Sequence, residues 1–198
     1  MNRDIELLYE LGSLRHMQRQ WQRFHMANVA NNSEHMFRVA WIALVIAARE
    51  GQKVDTGKIV KMAIAHDIAE SRTGDVDYLS RQYVKRDEAK ALHDMLEDTS
   101  LSDEFAELLE EYEIRESLES RIVKDADNLD VDMELQEQAA TGIRLTKDWE
   151  QFRKQVASTK LYTETARKMH AEIWSAHPHD WHIKSQSNRL NGGDWKQK

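Results

Sequence analysis

Pro178 is the only proline in the chain, and only seven glycines accompany it. Nothing before residue 178 therefore imposes a fixed break on a helix, and the sequence is rich in Ala, Leu, Glu, Lys, Arg and Gln, which enter helices at little cost. An all-α fold follows. At 198 residues and 40% hydrophobic content the chain can bury one good core but is short for two typical domains. The expected architecture is a single-domain bundle of seven or eight helices.

Apolar spacing and end signals place those helices. Ile5, Leu7, Leu8, Leu11 and Leu14 predict a first amphipathic helix over Asp4–Arg15. Asn31-Asn32-Ser33 is a capping cluster for a second helix that runs to Arg49, carries His35 in its first turn and stops at Gly51. Asp55 or Thr56 opens a third, which holds Ile59, Val60, Met62, Ala63 and Ile64 and ends in His66-Asp67, with SRTGD read as the turn after it. Further helices are expected over 85–98, 102–112, 117–139, 147–157 and 161–176, the last closed by Pro178. The domain spans 1–180, and the polar tail 181–198, with Gly192-Gly193, is expected to be partly disordered. The acidic face at Glu107, Glu110, Glu111 and Glu113 reads as solvated.

Composition narrows the function. A formal charge of −7 argues against binding to nucleic-acid polymers or to anionic membranes, so an anionic ligand must be small and met by local cations. The absence of cysteine removes disulfides, thiolate nucleophiles and cysteine zinc sites. Residues 1–10 carry Asp4, Glu6 and Glu10 and do not read as a signal peptide, and no apolar run approaches the roughly 20 residues of a membrane span. A soluble, cytoplasmic protein is expected.

Any metal would have to be held by histidine and carboxylate. His35, the adjacent His66-Asp67 pair and one acid of the segment KDADNLD lie on or near the ends of three separate helices. Two imidazoles and two carboxylates suit one Mn²⁺, Co²⁺, Fe²⁺ or Zn²⁺ ion. Periodicity alone does not choose among Asp125, Asp127 and Asp130. Glu70 follows His66 by four residues and Asp67 by three and therefore shares their helix face. His16, His25, His93 and His170 read as ordinary structural histidines, and His177, His179 and His182 as a surface loop. Trp21 and Phe24, among Arg19 and Arg23, either cap the core or wall a small-molecule pocket.

The segments NSEHMFRVA, KMAIAHDIAESRTGD and LLEEYEIRESLESRIVKDADNLD, in this order across Leu14–Glu137, resemble the HD-domain phosphohydrolases, and most closely their 5′-deoxynucleotidase branch. The resemblance implies that His35, His66, Asp67 and Asp127 ligate one divalent metal. It implies that Glu70 orients or deprotonates the attacking water, with Asp67 also at the catalytic centre, and that Asp75 meets the sugar 3′-hydroxyl. The branch can carry an Arg-Trp pair before the first histidine to contact the nucleotide. Here Gln20 precedes Trp21 and Arg19 stands one position further back, so Arg19 and Trp21 remain substrate-binding candidates while deoxyribose selectivity does not carry over.

The function implied is removal of the 5′-phosphate from a (deoxy)nucleoside monophosphate. Relatives cleaving nucleoside triphosphates or alarmones are the enzymatic alternative, although alarmone hydrolases usually follow the HD pair with Glu-Asp, and here Glu70 precedes Ser71. A non-catalytic nucleotide sensor is the alternative of another class. The resemblance is compatible with a homodimer.

Overall fold

The computed structural model describes residues 2–24 and 26–184. His25 and the tail from residue 185 lie outside the described residues. Among those described, every regular element is helical, apart from one isolated antiparallel bridge between Gln18 and Asn31. Eight helices have nine or more residues: α1 (Arg3–Ser13), α2 (Asn32–Glu50), α3 (Thr56–Ala65), α5 (Glu88–Leu96), α6 (Ser102–Ile114), α7 (Leu118–Ala140), α8 (Thr146–Thr159) and α9 (Glu164–Ser175). Two single turns complete the set, α4 (Glu70–Thr73) and α10 (Asp180–Ile183). No described helix is long and apolar enough to cross a membrane.

The caps show why the helices start where they do. Asn31 accepts from Glu34 N while Glu34 returns its carboxylate to Asn31 N, a reciprocal box that fixes the start of α2. Gly51, at φ +70°, ends it. The side chains of Asp55, Asp87, Ser117 and Thr163 each accept from a first-turn N–H and so cap α3, α5, α7 and α9.

α2, α3 and α7 form the centre. Val39, Ala43 and Ile46 of α2 meet Ile59, Met62 and Ala63 of α3 and Ile122, Val123, Ala126 and Leu129 of α7, all fully buried. Leu161, Ala166 and Met169 close one side of this core. A second cluster joins Leu7 and Leu14 to Met36, Met95, Leu96 and Leu109, and a third gathers Met26, Val29, Val131 and Leu135 under Trp21, Trp149 and Trp174. The central position of α7 explains how Asp125, Asp130 and Asp132 can be 0–1% exposed in a helix of mixed polarity.

Two local expectations are corrected. α3 stops at Ala65, and residues 66–69 form a tightened turn whose bonds run from Ile68 N to Ala65 O and from Glu70 N to Asp67 O. The break turns successive side chains inward that a continuous helix would spread around its axis. SRTGD is in turn not all loop: its first three residues belong to α4, which Gly74 ends at φ +75°.

Candidate active site

Four side chains from α2, the turn after α3, and α7 converge. His35 Nε2 lies 3.4 Å from Asp67 Oδ2 and 3.3 Å from Asp127 Oδ1. His66 Nε2 lies 3.4 Å from Asp67 Oδ2 and 4.0 Å from Asp127 Oδ1. These separations are within the reach of two bonds of roughly 2.0–2.2 Å to a common centre.

The donor set fits a divalent cation on independent grounds. Both Nε2 atoms are buried and have no hydrogen-bond partner. Their opposite ring nitrogens are engaged: His35 Nδ1 with Asp130 Oδ2 at 2.6 Å and His66 Nδ1 with Ala63 O at 2.8 Å. Both contacts favour the tautomer that leaves Nε2 as a lone-pair donor, the arrangement typical of metal-ligating histidines. Arg38 donates to Asp130 Oδ1 and to both carboxylate oxygens of Glu137, so its guanidinium braces the carboxylate behind His35.

The acids of KDADNLD separate by role. Asp127 points at the two imidazoles, Asp130 lies behind one of them, and Asp125 turns to α9, where it accepts from Tyr162 N, Thr163 N and Thr163 Oγ1 at 2.7–2.8 Å. Burial alone would raise the Asp127 carboxyl, but Lys124, at 2.6 Å, and the two histidines outweigh it and hold it well below the usual range. Burial likewise opposes charge on His35, yet without a cation between them the carboxylates of Asp127, Asp130 and Asp67 hold its pKa well above the ordinary value, a demand for positive charge that a divalent ion at Nε2 would meet in place of a proton.

A cavity of about 320 Å³ opens beside these groups. His66, Asp67 and Asp127 line it, together with Glu70, Arg19, Trp21 and Asp75. Arg19 reaches it because its segment is pinned to the start of α2: Arg19 N donates to Ala30 O at 3.0 Å and Asn32 N to Met17 O at 2.9 Å. Its guanidinium stays charged, opposed by burial but favoured by Asp75 and Asp67, and Nη1 donates to Asp67 Oδ2 at 3.1 Å. Asp75 Oδ2 accepts from Gln20 N at 3.0 Å. Trp21 packs on Trp149 at 4.8 Å between ring centroids and, with Phe24 and Tyr78, makes an aromatic side to the site.

Glu70 is 4% exposed. Burial, then the carboxylates of Asp67 and Asp75, push its carboxyl up to about 8. Sequence reasoning did not single out its partners Asn32 and Arg86, nor Arg81, Arg115, Tyr112 and Asp77 in the cavity wall. Asn32 had a readable signal, since it precedes His35 by one helical turn, whereas Arg86 comes from a loop 16 residues away from Glu70 and has none. His16 accepts from Arg15 and His93 is surface-exposed, while His170 is buried beside Asp132; none joins the cluster. His177 and His179 are exposed and His182 is half-buried around α10.

Comparison with known proteins fits this arrangement. A family model described as HD domain matches residues 11–174, a longer stretch than the sequence motifs span. The chain is 31% identical over 137 residues to a Danio rerio protein named 5′-deoxynucleotidase HDDC2, covering 66% of this chain and 67% of that one. It is 32% identical over 136 residues to the Escherichia coli protein named 5′-deoxynucleotidase YfbR, covering 62% and 67%. A solved structure of a conserved hypothetical protein from Pyrococcus furiosus superimposes with a TM-score of 0.74 at 28% identity, over 87% of this chain and 99% of that one. With its helical bundle and its paired histidines and aspartates, the chain belongs to the HD domain family of phosphohydrolases.

Proposed function

We propose that the protein is a cytoplasmic, metal-dependent phosphomonoesterase that removes the 5′-phosphate of nucleoside monophosphates, deoxynucleotides among them. The observation that carries this reading is a buried His/Asp donor cluster opening onto a cavity with both cationic and aromatic walls. The lining holds five cationic side chains (Arg19, Arg81, Arg86, Arg115, Lys124) against seven carboxylates (Asp67, Glu70, Asp75, Asp77, Glu88, Glu113, Asp127). The acids outnumber the cations, which suits a bound metal cation, and the cations suit a phosphate.

The ligands would be His35, His66, Asp67 and Asp127. A divalent ion there supplies charge stabilisation to a phosphate oxygen and lowers the pKa of water. Glu70 takes one proton from the attacking water, a role matched by a carboxyl pushed up to about 8. The water oxygen bonds to phosphorus as the P–O5′ bond breaks, and the proton taken by Glu70 is returned, directly or through solvent, to the departing O5′. Arg19 and Lys124 offset charge on the phosphoryl group. Trp21 walls the nucleoside, and Asp75, with one oxygen engaged by Gln20 N, offers the other to a sugar hydroxyl.

The test is release of orthophosphate, pyrophosphate or tripolyphosphate from ribo- and deoxynucleoside 5′-mono- and triphosphates with Co²⁺ or Mn²⁺. Orthophosphate from monophosphates supports the proposal. Turnover of triphosphates alone points to a triphosphohydrolase, and no turnover of any nucleotide points to a sensor.

A further inference from the structure

We infer that Asn32 is a positioning residue for the proposed base, holding the Glu70 carboxylate in its working orientation in concert with Arg86; this rests on the function proposed above. Asn32 Nδ2 donates to Glu70 Oε2 at 2.6 Å and Arg86 Nη1 donates to Glu70 Oε1 at 3.0 Å, so each oxygen is held from a different side. A carboxylate has about four lone-pair sites, so both oxygens keep capacity to accept from water. The two holders are themselves anchored. Asn32 is fully buried in the first turn of α2 with its N–H bonded to Met17 O at 2.9 Å, and Arg86 also donates to Gly74 O at 3.0 Å, tying the chain after α4 to its end.

Asn32 is not explained by helix capping, because Asn31 already caps α2. Nor is its amide fully satisfied: Oδ1 is buried without a hydrogen-bond partner. An orphaned buried acceptor is costly and needs a reason. Glu70 supplies one. With the carboxylate, the amide presents Nδ2; once Glu70 has taken a proton, a half-turn of the amide presents Oδ1 to the new O–H. The contact therefore survives both protonation states, which an Arg or Lys in the same place would not allow. A neutral donor also orients the carboxylate without cancelling its charge.

The experiment is a double-mutant cycle on kcat with Asn32→Ala, Glu70→Gln and the double variant, each assayed at saturating Mn²⁺ with its metal content and thermal midpoint measured. Asn32→Ala is expected to lower kcat by about 10- to 100-fold with KM little changed, as a misplaced catalytic group does. In the Glu70→Gln background the same substitution is expected to have no further effect, because its partner is already lost. Equal losses in the two backgrounds, or wild-type kcat in metal-loaded Asn32→Ala, would overturn the inference while leaving the proposed function standing. Full activity in Glu70→Gln would instead remove the base and its clamp together.

Discussion

Asp130 of α7 and His35 of α2 meet at 2.6 Å, Oδ2 to Nδ1, and each is 1% exposed. The carboxylate holds the ring so that Nε2 faces Asp67 and Asp127, and Arg38 braces the carboxylate from behind. Asp130→Ala is expected to weaken divalent-metal binding by roughly 10- to 100-fold, the usual cost of losing such an outer partner. Competition with a chelator of known affinity measures it. Unchanged affinity would show that the pair serves the fold alone.

Asp125 gives the contrasting case, two residues from Asp127 and turned the other way. Its carboxylate accepts from three donors at the start of α9. Asp125→Ala strands these donors and is expected to cost about 2–4 kcal/mol of stability. Urea midpoints report the loss, while metal affinity at a concentration where the variant is folded should equal that of wild type.

Trp149 leans on both Trp21 and Phe24, with centroids at 4.8 and 5.7 Å. Removing its ring in Trp149→Ala loosens the proposed nucleoside wall without touching the donor cluster. KM should rise by about 2- to 10-fold with kcat retained, in line with the worth of one aromatic pair. A fall in kcat at constant KM would place the wall elsewhere.

The link between α1 and α4 predicts a pH dependence. Arg72 grips Glu10 through two bonds of 2.7 and 2.8 Å, and that contact holds the Glu10 carboxyl below its ordinary value of 4.5 despite partial burial. A depressed carboxyl stabilises the fold above its unfolded pKa and stops doing so as the pH falls through its folded one. The pair is partly exposed, with Arg72 at 35% and Glu10 at 24%, so its contribution is at most ~1 kcal/mol. Urea midpoints of wild type and Arg72→Ala should differ at pH 7 and converge as the pH drops below 4.5. A gap that widens in acid would contradict this sign.

Where sequence and structure agree, the cause is local. Asn31 and Asp55 cap helices because their short side chains reach back to the first free N–H groups, an effect readable from a few residues. The stripe Ile122, Ala126, Leu129 marks the buried face of α7 by spacing alone. What lay beyond the sequence is long-range or depends on one bend. Glu70 shares a cavity with His66 and Asp67, but through a tightened turn rather than the continuous helix its spacing suggested. Asn32 looked like a second cap, and only the fold sets it against a carboxylate 38 residues on. Arg86 approaches Glu70 from a loop without periodicity. The three acids of KDADNLD look alike in sequence and are told apart by which neighbouring helix each one meets.

The most direct test of the account is orthophosphate release from a deoxynucleoside 5′-monophosphate by the chelated protein, by the same protein reloaded with Mn²⁺ or Co²⁺, and by Asp127→Ala. The account predicts turnover in the reloaded wild type, none after chelation, and loss of both metal retention and phosphate release in Asp127→Ala. Phosphate release that survives either chelation or the Asp127 substitution would contradict it.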